Sequence, residues 1–221
     1  MKALEDVAKK YCDEILPFAP VSTVCSFFVG VALFRAERAT PDGSVWLHLL
    51  NENFQSYWYF LDILRETRIA IVVLIIALAF FGYLTFRECS KIFMSAGVKS
   101  QADELNKIYL GVLARAESSA LTEQASSIAE KWYSRFEKKV LGTYKLGVFI
   151  GGLFAETVAV LFLHPNFVDA IFAVIFLLAA VCLSIGFGLI YYKAVLPRKM
   201  LLDASLGLIK PDSLSRIDGV E

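Results

Sequence analysis

Four long apolar runs divide the chain. Residues 15–34 and 69–86 hold twenty and eighteen positions without a charge, and residues 170–192 hold twenty-three. Residues 146–163 hold eighteen positions with a single charge, Glu156. A helix rises about 1.5 Å per residue, so about 20 apolar residues cross about 30 Å of hydrocarbon. All four runs are in that range, and each is read as a membrane-spanning helix. The first could instead be a secretory leader, because Lys2, Lys9 and Lys10 precede it. Its apolar stretch exceeds the usual 7–15 residues, roughly stated, and Arg35, Glu37 and Arg38 follow where small residues would be needed for cleavage. A retained span is the expectation, with Pro17 at its start and Pro20 bending the entry.

The connections have patterns of their own. Residues 40–43, Thr-Pro-Asp-Gly, read as a turn. After them, large apolar residues fall in steps of three and four at Trp46, Leu49, Leu50, Phe54, Tyr57, Trp58, Leu61 and Leu64. This spacing predicts an amphipathic helix over 45–65, with Ser44 as its N-cap. Trp46, Leu50, Phe54, Tyr57 and Trp58 suit the membrane interface, where aromatic rings sit at headgroup depth. The helix either lies flat on the outer leaflet or packs on a neighbouring subunit. Residues 87–145 contain two further stripes at helical spacing. One includes Leu105 and Val112, the other Ile128, Trp132 and Phe136. They predict a helical hairpin that prolongs spans two and three. The stripes either cover each other or hold another subunit or a soluble protein.

Charge sets the orientation. The chain has 221 residues, 57% hydrophobic, with 22 basic and 22 acidic side chains and no net charge. Average soluble domains are about 45–50% apolar, and a zero balance argues against a nucleic-acid binder held by a global positive field. The distribution says more than the sum. Residues 1–14, 87–145 and 193–221 together carry 18 of the 22 basic residues, while 35–68 carry four and 164–169 none. That excess marks the cytoplasmic side and places both termini inside. Cys12 and Cys89 then face the reducing side, and Cys25 and Cys182 lie in spans, so no disulfide is expected. The predicted class is an all-α, polytopic integral membrane protein of the inner (plasma) membrane. It has four transmembrane helices, an outer interfacial helix and a cytoplasmic helical hairpin.

Two features stand out inside the spans. Small residues recur every fourth position at Gly147, Gly151, Ala155 and Ala159, and span four repeats the spacing at Ala180, Ser184 and Gly188. Such stripes let helices approach closely in lipid, either within one chain or between subunits. Glu156 is the ionisable residue deepest in a span, and a carboxyl group there is costly. It either lines a pore or proton path, or hydrogen-bonds between helices in its neutral form, or sits near thinned lipid. Thr157, Ser184, Thr23, Ser26 and Tyr83 are its candidate partners.

No phosphate-binding loop, zinc-protease or serine-hydrolase motif and no dinucleotide fingerprint is present. An enzyme is the least supported class, and no cofactor or metal is expected. Two functions compete. One is an oligomeric membrane sensor or scaffold whose outer helix responds to the bilayer and whose hairpin engages a soluble cytoplasmic effector. The other is a small oligomeric pore subunit with Glu156 near the permeation path. Membrane lipids and further copies of the chain are the expected partners in both, without direct nucleic-acid contact. The plan of four spans, inside termini and a cytoplasmic helical part between spans two and three resembles the membrane component of the Kiwa anti-phage system. The resemblance covers the whole chain as architecture, and no site residue is carried over from it. It implies an oligomer that senses phage-induced membrane disturbance and recruits a soluble, DNA-associated partner.

Overall fold

The apolar runs become helices because hydrocarbon offers no partner for backbone N–H and C=O groups, and a helix satisfies them within the segment. The computed structural model describes residues 16, 19–40, 43–51, 68–100, 107 and 123–199. Every regular element among them is helical: α1 (Pro20–Ala39), α2 (Val45–Asn51), α3 (Ile69–Ser100), α4 (Glu123–Leu163) and α5 (Phe167–Ile190). A π-helical turn, Tyr191–Val195, continues α5. Four helices are long and apolar enough to cross a membrane, and the protein is an all-α multi-pass membrane protein by that criterion.

The helix ends depart from the apolar runs for local reasons. α1 starts at Pro20 and runs to Ala39, five residues later at each end than the apolar run 15–34. Proline lacks an N–H and has a helical φ, which suits the first helical position, while it holds the preceding residue extended. Pro20 therefore begins the helix rather than bending it. Arg38 then lies in the last turn, where a cation meets the negative end of the helix dipole. At the other end of the chain, Leu196 N–H bonds the Tyr191 carbonyl five residues back. The helix widens there one turn before Pro197, whose ring would crowd the carbonyl of Lys193 in a regular α-helix.

Contacts sort the residues into two units. The first comprises Phe18–Cys89 and Lys145–Ser184. Its core gathers Val31, Leu33 and Phe34 of α1, Val45 and Trp46 of α2, Ile75 of α3, and Leu153 and Val160 of α4. In this unit α4 meets α1, α2 and α3. At its crossing with α3, a Cβ on Gly82 would lie 2.6 Å from the backbone of Gly151 and Gly152. One turn away the ring of Phe86 occupies the space beside Gly147. The outward face of α5 is different: Phe167, Ile171, Val174 and Leu178 are exposed apolar residues in steps of three and four.

The second unit comprises Met1–Pro17, Ser90–Tyr144 and Ile185–Glu221. Here α3 runs through Gly97 to Ser100, well past the apolar run 69–86. The ring of Tyr192 fills the site at Gly97, where a Cβ would lie 2.5 Å from Cδ1. Gly188 abuts Phe93, and Tyr144 packs on Phe187 at 5.7 Å between ring centroids. Of the hairpin expected over 87–145, residues 101–106 and 108–122 lie outside those described.

The glycines make a direct test. Gly82→Ala would push a methyl group against backbone that cannot rotate away, at a cost of about 1–3 kcal/mol. Gly142→Ala meets nothing within 4 Å and gains helix propensity. Thermal unfolding in detergent is expected to lower the midpoint for the first variant and to hold or raise it for the second. Equal midpoints would remove the close crossing.

Candidate functional site

The site is a set of buried polar residues in the unit that contains Glu156. It starts at the turn before α2. Ser44 caps this helix: its Oγ accepts from Leu47 N–H at 3.2 Å, and its carbonyl accepts the first helical bond from His48 N–H at 3.1 Å. Ser44 also donates its own O–H to Asp169 Oδ1 at 2.6 Å. The Asp169 carboxylate then accepts Val45 N–H on Oδ2 at 3.0 Å and Trp46 N–H on Oδ1 at 3.1 Å. Asp169 belongs to α5, where Asn166 Oδ1 accepts Val168 N–H at 2.9 Å and the Asn166 carbonyl accepts Ala170 N–H at 3.0 Å. Asp169 is thus in the first turn of its own helix and also at the first turn of α2. Two positive helix ends converge on one fully buried carboxylate. His164 adds a further tie, with Nε2 donating to the Gly43 carbonyl at 3.1 Å.

Trp46 carries the arrangement inward. Its indole N–H donates to Thr157 Oγ1 at 3.1 Å, and Thr157 in turn donates to the Leu153 carbonyl one turn back at 2.6 Å. The ring stacks on Phe172 at 5.4 Å and tilts against Phe176 at 5.1 Å. The residue just before Thr157 on α4 is Glu156. Ser26 of α1 donates its O–H to Glu156 Oε1 at 2.9 Å. Glu156 is fully buried, and among the described residues Oε2 has no hydrogen-bond partner. Gly30 makes room for the carboxyl group: a Cβ there would lie 2.7 Å from Glu156 Cδ and 2.6 Å from Ile75 Cγ2. Gly152 likewise faces the Ser26 hydroxyl. Chemically, the arrangement ties helices together through buried hydrogen bonds, each stronger in this setting than in water.

The structure places the expected residues as follows. Of the candidate partners for Glu156, Ser26 takes the role. Trp46, expected at the membrane interface, is instead 7% exposed and packed inside, because its N–H finds Thr157 and its ring finds two phenylalanines. Leu50 is exposed. Phe54, Tyr57 and Trp58 lie outside the described residues. Gly147 and Gly151 face Phe86 and Gly82 of α3, not the stripe on α5, since Gly82 offers a backbone without a side chain. Gly188 also meets α3, at Phe93. Ala155 and Ser184 are buried, and Ala159 and Ala180 partly so. Phe136 carries the Arg198 guanidinium over its ring at 4.1 Å. Leu105 and Val112 lie outside the described residues, as do the side chains of Ile128 and Trp132. Asp169 is not among the sequence-based candidates, since an acidic residue in the first turn of a helix is common there as a partner of its dipole. Its position among apolar neighbours was the available signal. Among the described residues no group of three or more acidic, His or Cys side chains could hold a metal, and Cys25, Cys89 and Cys182 are free thiols.

Asp169→Asn tests the tie between α5 and α2. An amide cannot accept on both sides, so one donor is left facing an NH2 group, at a cost of about 2 kcal/mol. With Trp58→Phe and Trp132→Phe as background, Trp46 emission is expected to shift red and to become quenchable by acrylamide. Unchanged emission and unchanged thermal stability would rule out the tie. Compared with known proteins, the chain matches no family, no curated protein and no solved structure.

Proposed function

We propose that this chain is a membrane-embedded sensor and scaffold that links a segment beside the bilayer to its spans and engages a soluble cytoplasmic effector. The observation that carries the reading is a pair of buried ties made by neighbouring residues of α4: Ser44, Asp169 and Trp46 lead to Thr157, and Ser26 bonds Glu156. A displacement of α2 must disturb its capping carboxylate on α5 and its indole bond to α4 together. A segment that only covered the spans would need no such ties. The enclosure of Glu156 supports the same choice. Glu156 is fully buried beside Ser26, Gly30 and Ile75, which favours a bridge between helices over a place on a lumen. The exposed apolar line on α5 suits lipid or a second copy of the chain. An anti-phage setting is part of this proposal on architectural likeness alone.

Reconstituted vesicles test it. Wild type and Glu156→Gln are both expected to conduct no ions, since glutamine keeps an acceptor for Ser26 and the same shape. Ion flux through wild type that the variant abolishes would replace this reading with the pore. In parallel, the intact chain is expected to co-purify with a soluble protein that is lost when residues 101–122 are deleted. Retention of that protein by the deletion variant would remove the scaffold role from the inner segment.

A further inference from the structure

We propose that one face of α4, lined by Lys131, Arg135, Lys138 and Gly142, docks an acidic helix of a soluble cytoplasmic protein. The proposal rests on the scaffold reading for the existence of such a partner, and it names the surface and the chemistry that hold it. Steps of four, three and four put these residues in a single line along the helix. All four are exposed, as is the adjacent Lys139. The opposite face is taken. Tyr133 and Phe136 lie there under Lys199 and Arg198, with Lys199 Nζ 5.5 Å and the Arg198 guanidinium 4.1 Å from the ring centres. That packing turns the basic line away from the segment that follows α5.

Three observations favour a facing acidic helix. First, the line repels itself. No carboxylate stands three or four positions from Lys131, Arg135, Lys138 or Lys139, whereas Arg135 has the other three cations at those positions. Like charges at that spacing weaken a helix, and a face that served only solubility would mix the signs. Glu130 and Glu137 stand about 100° round the helix from Lys131 and Lys138, and adjacent positions do not face each other. Second, Gly142 ends the line. Glycine weakens a helix interior, yet a Cβ there would meet nothing within 4 Å, so packing among the described residues does not call for it. A partner helix can come close at that point. Third, the line outreaches lipid. Lys138 stands eight residues before the apolar run that begins at 146, and Lys131 fifteen, about 12 and 22 Å along the helix. A headgroup layer is about 5–8 Å deep on each side. Basic residues that only set topology need not share one face. A helix with carboxylates at the same steps pairs with each cation in turn, as flanking charges do between coiled-coil helices.

The test uses the full chain in phosphatidylcholine nanodiscs at low ionic strength, where exposed pairs are least screened. The probe is a fluorescent alanine-based helical peptide with Glu at steps of four, three and four, set against a peptide of the same composition in shuffled order. The spaced peptide is expected to bind roughly tenfold more tightly, and added salt to weaken it. Joint Lys131→Gln, Arg135→Gln and Lys138→Gln is expected to lose roughly tenfold, about twofold for each exposed pair. Gly142→Leu leaves every charge in place and should lose a comparable factor by blocking the approach. Both variants change exposed positions and should melt no lower than wild type. Exchanging the charges, with Lys131→Glu, Arg135→Glu and Lys138→Glu against a peptide carrying Lys at the same steps, should restore binding. Equal affinity for the spaced and shuffled peptides, or unchanged affinity in either variant, overturns the proposal. Displacement of the peptide by phosphatidylglycerol, or tighter binding of duplex DNA at equal phosphate concentration, also overturns it by giving the face to lipid or nucleic acid. Co-purification separates the two readings. A soluble protein held equally by wild type and by the triple Gln variant overturns this face and leaves the scaffold standing, whereas none with wild type ends both.

Discussion

A carboxyl group among membrane-spanning helices has no water to turn to, and its partners must come from the protein itself. Asp169 and Glu156 impose this demand at two points on the same unit. Asp169 meets it with three donors from the start of α2, and so fixes the short outer helix against the first turn of α5. Glu156 meets it with the Ser26 hydroxyl, and so fixes α4 against α1. Trp46 and Thr157 lie between the two, with one ring and one hydroxyl shared among three helices. Most of the placement of these elements follows from where the two carboxyl groups find donors.

The bonds require short distances, and small residues supply them. Lipid tails are as apolar as leucine, so helices gain little from hiding apolar surface from lipid and must instead gain from close packing. The crossing of α3 and α4 at Gly82 and Gly151 brings backbone against backbone. Gly152 admits Ser26, and Gly30 admits the carboxyl group of Glu156. The hydrogen bonds and the glycine contacts are therefore one design. Without the glycines, Ser26 could not reach across, and without the hydroxyl, the close approach would enclose a carboxyl group with no donor among the described residues.

The other unit follows a different rule, set by aromatic rings at the end of the apolar stretch. Pro197 forces the turn before it to widen, and the residues after it bring Arg198 and Lys199 onto Phe136 and Tyr133. Tyr192 closes on Gly97, and Phe187 on Tyr144. Rings thus do the packing that small residues do in the first unit, and they do it where cations and apolar groups must share a boundary. A guanidinium over a ring keeps its charge while one of its flat faces is covered.

Much of this was legible in the residues alone. Run length and the absence of charge marked four spans, because hydrocarbon excludes both unpaired backbone and unpaired charge. Ser44 was readable as a cap from its place before a periodic run, and Glu156 as the costly residue from its isolation, with Ser26 among its candidate partners. These are properties of short stretches, which the chain carries whatever surrounds it. Tertiary structure decided the rest. Trp46 turned inward because Thr157 and two phenylalanines from other helices stood where its ring could be satisfied. The stripe of small residues on α4 met α3 because Gly82 lay opposite, 69 positions away in sequence. Asp169 became the capping group of a helix more than a hundred residues earlier. A side chain's period along a helix is local, but the donor or the gap it meets belongs to another helix, and only folding brings the two together.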